Sequence, residues 1–344
     1  MTESRIALWE RLMAIGLVPD TMLRAGVRSA LRRRLRQLHK DSPHRPTDPC
    51  HDAPIAVETA TANQQHYEVP TEFFHLVLGP RLKYSSGLWS KSVTNLAEAE
   101  ESMLEVTARR AGLKDGQRIL DLGSGWGAFA IWAAQRYPSA HITALTNSRT
   151  QATYVHDQAV AQDLSNLSVR RANAATLDFN LDGRFDRIIS VEMLEHIRNV
   201  EPLLNHVAEL LEVDGRFFAH VFSHKTHRYT FEAETDGWMA RWFFSGGTMP
   251  NLDHLTRASS KLRPMDRWII NGRHYADTLR AWIQNLDTNH QAVLDIFRDL
   301  YGPRNAALWL ARWRLFFIAC QELFAFQNGT EWVVAHHLFE PTGQ

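Results

Sequence analysis

Cysteine is nearly missing from this chain: 344 residues contain only Cys50 and Cys320. Two thiols cannot build a disulfide scaffold, and so few suit a reducing compartment. An excess of one charge is missing too. The 38 Lys+Arg balance 38 Asp+Glu, so the basic surplus of a nucleic-acid binder is absent. No run of about 18 apolar residues occurs, so no membrane-spanning helix is expected. The first twenty residues mix acids and bases and lack the apolar stretch and cleavage site of a secretory signal. What is present is ordinary globular composition, 44% hydrophobic and 22% charged, which argues against disorder. The length suits one large or two modest domains at roughly 150 residues each. A soluble, cytoplasmic protein is the expectation.

Residues 5–40 read as helical. Leu23, Val27, Leu31, Leu35 and Leu38 recur at steps of three and four. Arg24, Arg28, Arg32, Arg33, Arg34, Arg36 and Lys40 share the segment, with no acid from 21 to 40. Such a helix either lies on an anionic membrane or packs on its own domain with a solvated basic face. Residues 41–62 hold four prolines and read as a linker or extended wrap. This divides the chain into an N-terminal extension and linker, 1–62, and a main domain, 63–344.

Residues 95–112 form a helix whose acids come early and whose Arg109 and Arg110 come late, with Gly112 just past the end; that order complements the helix dipole. Strands then alternate with helices: strands at 119–122, 141–146, 167–172, 185–191 and 216–222, helices near 128–136, 149–163 and 200–212, and an Asp214-Gly215 turn before the fifth strand. This rhythm indicates a parallel sheet covered on both faces. The aromatic-rich segment 223–267 breaks it and suits a lid or substrate-pocket insertion. Helices near 276–286 and 303–325 and a strand at 331–339 close the chain. The fold class is therefore α/β, a doubly wound, mostly parallel sheet with an N-terminal helical extension and an α-helical lid.

The strongest local signal is Asp121-Leu-Gly123-Ser-Gly125-Trp-Gly127, directly after the first strand. Its glycines let the backbone turn tightly and approach a ligand, and open α/β sheets bind ligands at the carboxyl ends of their strands. The spacing is not the G-x-G-x-x-G of a dinucleotide loop. A plain structural turn is the other reading. The second strand runs into Thr146-Asn147-Ser148-Arg149-Thr150-Gln151 with no carboxylate. This set can hydrogen-bond ribose hydroxyls, and Asn147 or Ser148 can cap the next helix.

The D-x-G-x-G form resembles the first motif of class I S-adenosylmethionine-dependent methyltransferases. Together with the missing acid, Tyr84-Ser85 upstream, and Glu192-Met-Leu-Glu195-His196 after the fourth strand, it is similar to the cyclopropane-fatty-acid-synthase-like group, most of all to the plant coclaurine/tetrahydroprotoberberine N-methyltransferase type. Leu17-Val18-Pro19, Tyr67-Glu68-Val69-Pro70, His224-Lys225-Thr226, the stretch Phe243-Phe244-Ser245-Gly246-Gly247-Thr248-Met249-Pro250, and Asn328-Gly329-Thr330-Glu331-Trp332 carry the likeness along the rest of the chain. The resemblance implies S-adenosyl-L-methionine as cofactor, contacted by Tyr84, Ser85, Asp121, Gly123, Gly125, Thr146, Asn147 and Gln151, with Asn173-Ala174 at the adenine. Apart from the resemblance, Tyr67 and Tyr84 can face a sulfonium, because a cation is drawn to an aromatic face.

Methyl transfer needs nucleophile, methyl and sulfur in line. Alkylamines titrate near lysine, about 10.4, so at neutral pH they are mostly protonated and need a base or selection of the neutral form. Glu192, Glu195 and His196 are the catalytic candidates. Paired carboxylates push each other's pKa values apart, and a histidine titrates near neutrality. A capping and salt-bridge cluster is the alternative. The corresponding groups in the N-methyltransferases are the proposed base and amine-binding residues. Cyclopropane synthases usually carry glycine where Glu192 stands and cysteine where Ser86 stands. Their bicarbonate holders map onto Glu195, His220 and Tyr275. The extra carboxylate favours a cation over an anion.

Trp238, Trp242, Phe243, Trp313 and Phe316 are candidates for the substrate wall, or are simply core; the resemblance raises Trp313 and Phe316. Arg312 stands where the plant enzymes carry an aromatic residue, so it either binds an acidic group or pairs with a local carboxylate. His220 and His224 lack partners for a set, and no metal site is expected. The expected function is N-methylation of a small aromatic or apolar amine. Two alternatives stand beside it: C-methylation or cyclopropanation of unsaturated membrane lipid, and an idle cofactor-binding protein. No nucleic-acid partner is expected, and the reading allows a homodimer.

Overall fold

The structure is a computed structural model that describes residues 7–41, 55, 69–174, 176–177, 179, 181–231 and 237–343. Cys50, the proline-rich stretch from 42 to 54, the boundary at Asn63, and Tyr67-Glu68 lie outside the described residues.

Strand β1 (Arg118–Leu122) is buried from its second residue onward. It alternates faces: Ile119 packs with one apolar cluster, Leu120 and Leu122 with another. Strands β2 (His141–Thr146), β3 (Leu167–Arg171), β4 (Phe185–Val191) and β5 (Leu211–His224) follow. A short pair, β6 (Tyr229–Thr230) and β7 (Thr248–Met249), precedes β8 (Leu262–Ile270) and β9 (Trp332–Pro341). The main sheet runs β3-β2-β1-β4-β5-β9-β8. Its first five strands are parallel, and β9 is antiparallel to both β5 and β8. Helices Leu96–Ala111, Ala128–Arg136 and Arg149–Ala161 cover one face, and Glu201–Leu210 packs on the other. Strand order reverses between β1 and β4, which opens a crevice above their carboxyl ends.

The expected helix over 95–112 forms with both its signals used. The Asn95 side chain accepts from the Glu98 N–H, and Gly112 ends the helix in the left-handed region at φ 66°.

Two expectations gain detail. Asp214-Gly215 falls within the bounds of β5, where pairing with β4 jumps from Phe185↔Leu211 to Arg187↔Arg216 and the looped residues turn so that Gly215 comes back against the Glu212 backbone. The segment 223–267 is only partly helical. It holds the β6–β7 pair, the short helices Trp238–Trp242 and His254–Arg257, and most of the edge strand β8. The helical layer over the crevice comes mainly from later in the chain: Arg273–Thr288, His290–Tyr301 and Ala306–Ala325, joined by Thr71–Val77. Phe73, Trp282, Trp313 and Phe317 form its dry centre.

Helix Asp20–Asp41 packs on its own domain. Arg24 and Arg28 pair with Glu322 at 2.8 and 2.7 Å, Arg314 pairs with Asp20, and Leu35 is buried. Arg32, Arg33 and Arg36 face solvent. Arg312 also takes the local option: its Nε sits 3.0 Å from Glu10 Oε1 and its guanidinium lies 3.6 Å from the centre of the Trp242 ring. Among the described residues, no helix is long and apolar enough to cross a membrane.

Candidate active site

The turn after β1 is anchored by its own backbone. Gly123 N–H and Ser124 N–H both donate to Leu145 O, at 2.9 and 2.8 Å. Gly123 sits at φ +83°, and a Cβ there would lie 2.7 Å from Met193 Cβ. The position thus excludes side chains by conformation and by space. A cavity of about 210 Å³ opens beside the turn, walled by Phe222, Phe231, Phe244, Tyr275, Phe316 and Phe324 among others. It joins a second cleft that reaches Thr146, Asn147, Asn173 and Ala174. Gly123, Gly125, Gln151, Glu192 and His196 border both.

The expected cofactor residues therefore share one continuous surface. Thr146 Oγ1 donates to Gln151 Oε1 at 2.8 Å, and Ser148, rather than Asn147, caps helix Arg149–Ala161. Asp121 is buried, and burial pushes its carboxyl up to about 7. Its Oδ2 has no partner among the described residues, although it borders the cavity. Tyr84 and Ser85 also line that cavity. Lys83 was not anticipated. It is buried, and its Nζ donates to Ser85 Oγ at 2.5 Å and to Ser86 O at 2.7 Å. Burial lowers it to about 8, against the upward pull of Glu192 and Glu100. Arg81-Leu82-Lys83-Tyr84-Ser85 reads as an ordinary polar loop, so the sequence held no signal for its burial.

Glu192 follows β4 in the left-handed region, at φ 47°, which costs a branched or long side chain about 1–2 kcal/mol. Its surroundings hold it there. The Glu192 N–H donates to His220 O at 2.8 Å. Oε1 accepts from Ser86 N–H and from His220 Nε2, both at 3.1 Å, and Oε2 accepts from Tyr275 OH at 2.6 Å. Its side chain is only 6% exposed. Burial raises the carboxyl's pKa, while Lys83, Tyr275 and Ser86 pull it back toward the ionised form. Tyr275 thus meets the cavity as expected, whereas His220 is fully buried and reaches it only through Glu192.

Glu195 does not face the cavity. A 3-10 turn, Leu194–His196, starts two residues after the left-handed Glu192 and carries Glu195 behind the sheet edge. There its Oε1 accepts from Phe222 N–H at 2.8 Å. Burial and the Glu192 charge push its carboxyl well above the usual range. The same turn returns His196 to the cavity, edge-on to Phe244 at 5.1 Å. Burial lowers its imidazole to about 4, leaving it neutral at pH 7.

Of the five expected wall residues, Phe316 alone lines the cavity; Phe243 and Trp313 are buried core, and Trp242 packs on Trp309 and Arg312. Trp313 is fully buried against Phe73 at 4.8 Å and Phe243 at 5.1 Å, one helical face away from the cavity. Trp238 packs on Phe243, and its Nε1 donates to Glu10 at 3.0 Å. Phe316 does line the cavity, one turn from Cys320. Among the described residues, no group of His, Cys, Asp and Glu is arranged to hold a metal ion.

Known proteins match this arrangement. The family model described as mycolic acid cyclopropane synthetase matches residues 56–332. An (S)-coclaurine N-methyltransferase from Thalictrum flavum subsp. glaucum is 33% identical over 340 residues, covering 95% of this chain and 94% of its own. The cyclopropane-fatty-acyl-phospholipid synthase of Escherichia coli K12 is 28% identical over 241 residues, 69% of this chain and 59% of its own. A crystal structure of coclaurine N-methyltransferase bound to N-methylheliamine and S-adenosylhomocysteine superposes with a TM-score of 0.89 at 30% identity, covering 96% of this chain and 98% of that one. This chain belongs to the mycolic acid cyclopropane synthetase family and is an S-adenosylmethionine-dependent methyltransferase.

Proposed function

We propose that the protein methylates the nitrogen of a small apolar amine. One observation carries this reading: a carboxylate, Glu192, stands between the glycine turn and the aromatic wall of the cavity formed by Phe222, Phe244, Tyr275 and Phe316. A buried anion in such a wall favours a cationic guest and disfavours an acyl chain, which brings no charge to offset it. The coclaurine N-methyltransferase relatives support the same reading.

The residues present fit the cofactor. Asp121 Oδ2, buried and without a partner among the described residues, suits the ammonium of an amino-acid moiety, and Thr146, Asn147 and Gln151 suit ribose hydroxyls. S-adenosylmethionine supplies a methyl carbon activated by the adjoining sulfonium. Glu192 draws the ammonium of the substrate to the junction of the two clefts. His196, neutral on arrival, accepts the ammonium proton and frees the nitrogen lone pair. Phe222, Phe244 and Phe316 hold the carbon skeleton and exclude water.

The decisive experiment offers methyl-labelled cofactor with a bicyclic secondary amine in one tube and unsaturated phospholipid vesicles in another. Label is expected on the amine nitrogen; label in the lipid alone overturns the proposal. A second expected result concerns the turn. Gly123→Ala should weaken S-adenosylhomocysteine binding about tenfold by calorimetry, since the left-handed backbone and Met193 together cost roughly 1–2 kcal/mol. Unchanged affinity would place the cofactor elsewhere.

A further inference from the structure

Behind Glu192 runs a line of side chains, two buried histidines and a half-buried arginine, that the reaction above leaves unused. Arg110, in the last turn of helix Leu96–Ala111, places NH1 2.7 Å from Nδ1 of His336. His336 lies on β9 directly opposite His220 on β5. Its Nε2 is 3.0 Å from His220 Nδ1, and His220 Nε2 is 3.1 Å from Glu192 Oε1. Both rings are fully buried.

The direction of this chain follows from one chemical fact. A guanidinium donates and never accepts. His336 Nδ1 must therefore accept from Arg110, which puts the ring proton on Nε2. That proton is donated to His220 Nδ1, so the proton of His220 is on Nε2 and points at Glu192. One donor-only group thus sets two tautomers and three hydrogen bonds. Each ring accepts at Nδ1 and so carries a single proton, and burial with the nearby Lys83 and Arg110 charges holds both imidazoles well below their usual pKa. The far end is fixed as well: the Arg110 guanidinium lies 4.9 Å from the centre of the Trp268 ring on β8.

We infer that Arg110 and His336 are positioning residues: through His220 they direct one N–H at Glu192 Oε1 and hold the carboxylate aimed at the amine. The inference rests on Glu192 as the group that recognises the amine. The other groups around Glu192 are Lys83 and Ser86 ahead of it in the chain, Glu195 and His196 on its own turn, Tyr275 on helix Arg273–Thr288, and Cys320 on helix Ala306–Ala325. Of these, Ser86 and Tyr275 donate to the carboxylate independently of the histidines. Loss of the relay should weaken the site without emptying it.

The test combines tautomer and rate. In nitrogen-15 spectra of histidine-labelled protein, His220 and His336 should both appear as the Nε2–H tautomer. Arg110→Met should mix the His336 tautomers, lower kcat/KM about 10- to 100-fold, and move the acid limb of its pH profile upward, because the carboxylate loses a donor. Arg110→Lys restores a donor and His336→Gln restores an acceptor and a donor, so both should recover much of the rate; His336→Leu should not. An Nδ1–H tautomer at either ring in the unaltered protein overturns the inference, and this measurement stands even if a variant fails to fold. It is also overturned if Arg110→Met changes the melting temperature but neither the tautomers nor the pH profile. Failure of the amine reading looks different: Glu192→Gln would then keep its activity while the tautomers stay as described.

Discussion

Replacing Glu192 with glutamine should lower kcat/KM for the amine about 10²- to 10³-fold, with S-adenosylhomocysteine affinity changed by less than about threefold. The magnitude follows from what the carboxylate does in a dry cavity. Truncating one partner of a buried, hydrogen-bonded charge pair costs about 2–5 kcal/mol, and each 1.4 kcal/mol is tenfold. Glutamine also presents an N–H₂ where three donors, Ser86 N–H, His220 Nε2 and Tyr275 OH, now converge on two oxygens. The Tyr275 hydroxyl can rotate to accept from that N–H₂, so the hydrogen bonds can be kept and the loss falls on the missing charge. The loss should be specific to charge: competition by the amine should fall toward that of its neutral carbon isostere, while the isostere itself competes as before. Glu192→Gly separates the subfamily readings further. It relieves the left-handed backbone at φ 47° and removes the carboxylate at the junction of the two clefts, while Asp121 stays on the cavity wall. Amine methylation should then be lost; a variant that gains or keeps lipid methylation would favour the acyl-chain alternative. If the Glu192→Gln variant matched the unaltered protein in kcat/KM for an amine substrate, the central premise would be gone.

Much of this site was legible in the sequence because it is local. The glycine turn, the Thr146–Gln151 stretch and the Glu192–His196 block each announce themselves within a few residues, and the alternation of strands and helices places all three at one sheet edge. What was hidden depends on rotation or on distance in the chain. Glu195 shares a five-residue span with His196, yet a left-handed residue followed by a 3-10 turn sends the two side chains to opposite sides. Trp313 and Phe316 are three apart on one helix, but the first belongs to the centre of the helical layer and the second to the cavity. Strand β8 gave no period-two signal because its middle is exposed and Pro264 adjoins an irregular register. The Arg110–His336–His220 line joins three elements more than 100 residues apart, and only the pairing of β5 with β9 brings its histidines together. Arg110 had a sufficient reading as a helix-end charge, which concealed its second contact.

His196→Ala should reduce kcat about 10²- to 10⁴-fold at pH 7, the range general-base groups supply, and the deficit should shrink as pH rises. The reason lies in who carries the proton. At neutral pH an alkylamine near 10.4 arrives almost wholly protonated and has no lone pair to attack with. Glu192 selects that charged form, so the enzyme binds its substrate in the unreactive state and must remove a proton afterwards. His196 is unprotonated when substrate enters, because burial holds its imidazole down to about 4, and the Glu192 carboxylate beside it pulls that pKa upward and so steadies the imidazolium as the proton arrives. For the unaltered enzyme, the base is then lost only as pH falls toward 4, and no inflection near the ordinary histidine value of 6.5 should appear on the acid limb of kcat. In the alanine variant, rate should climb with the free-amine fraction, close to tenfold per pH unit below 10, and approach the unaltered enzyme near pH 10. Glu195 cannot take over, because its carboxyl is turned behind the sheet onto the Phe222 N–H. A deficit that stays constant from pH 7 to pH 10 would mean that His196 shapes the pocket and that the proton leaves by another route.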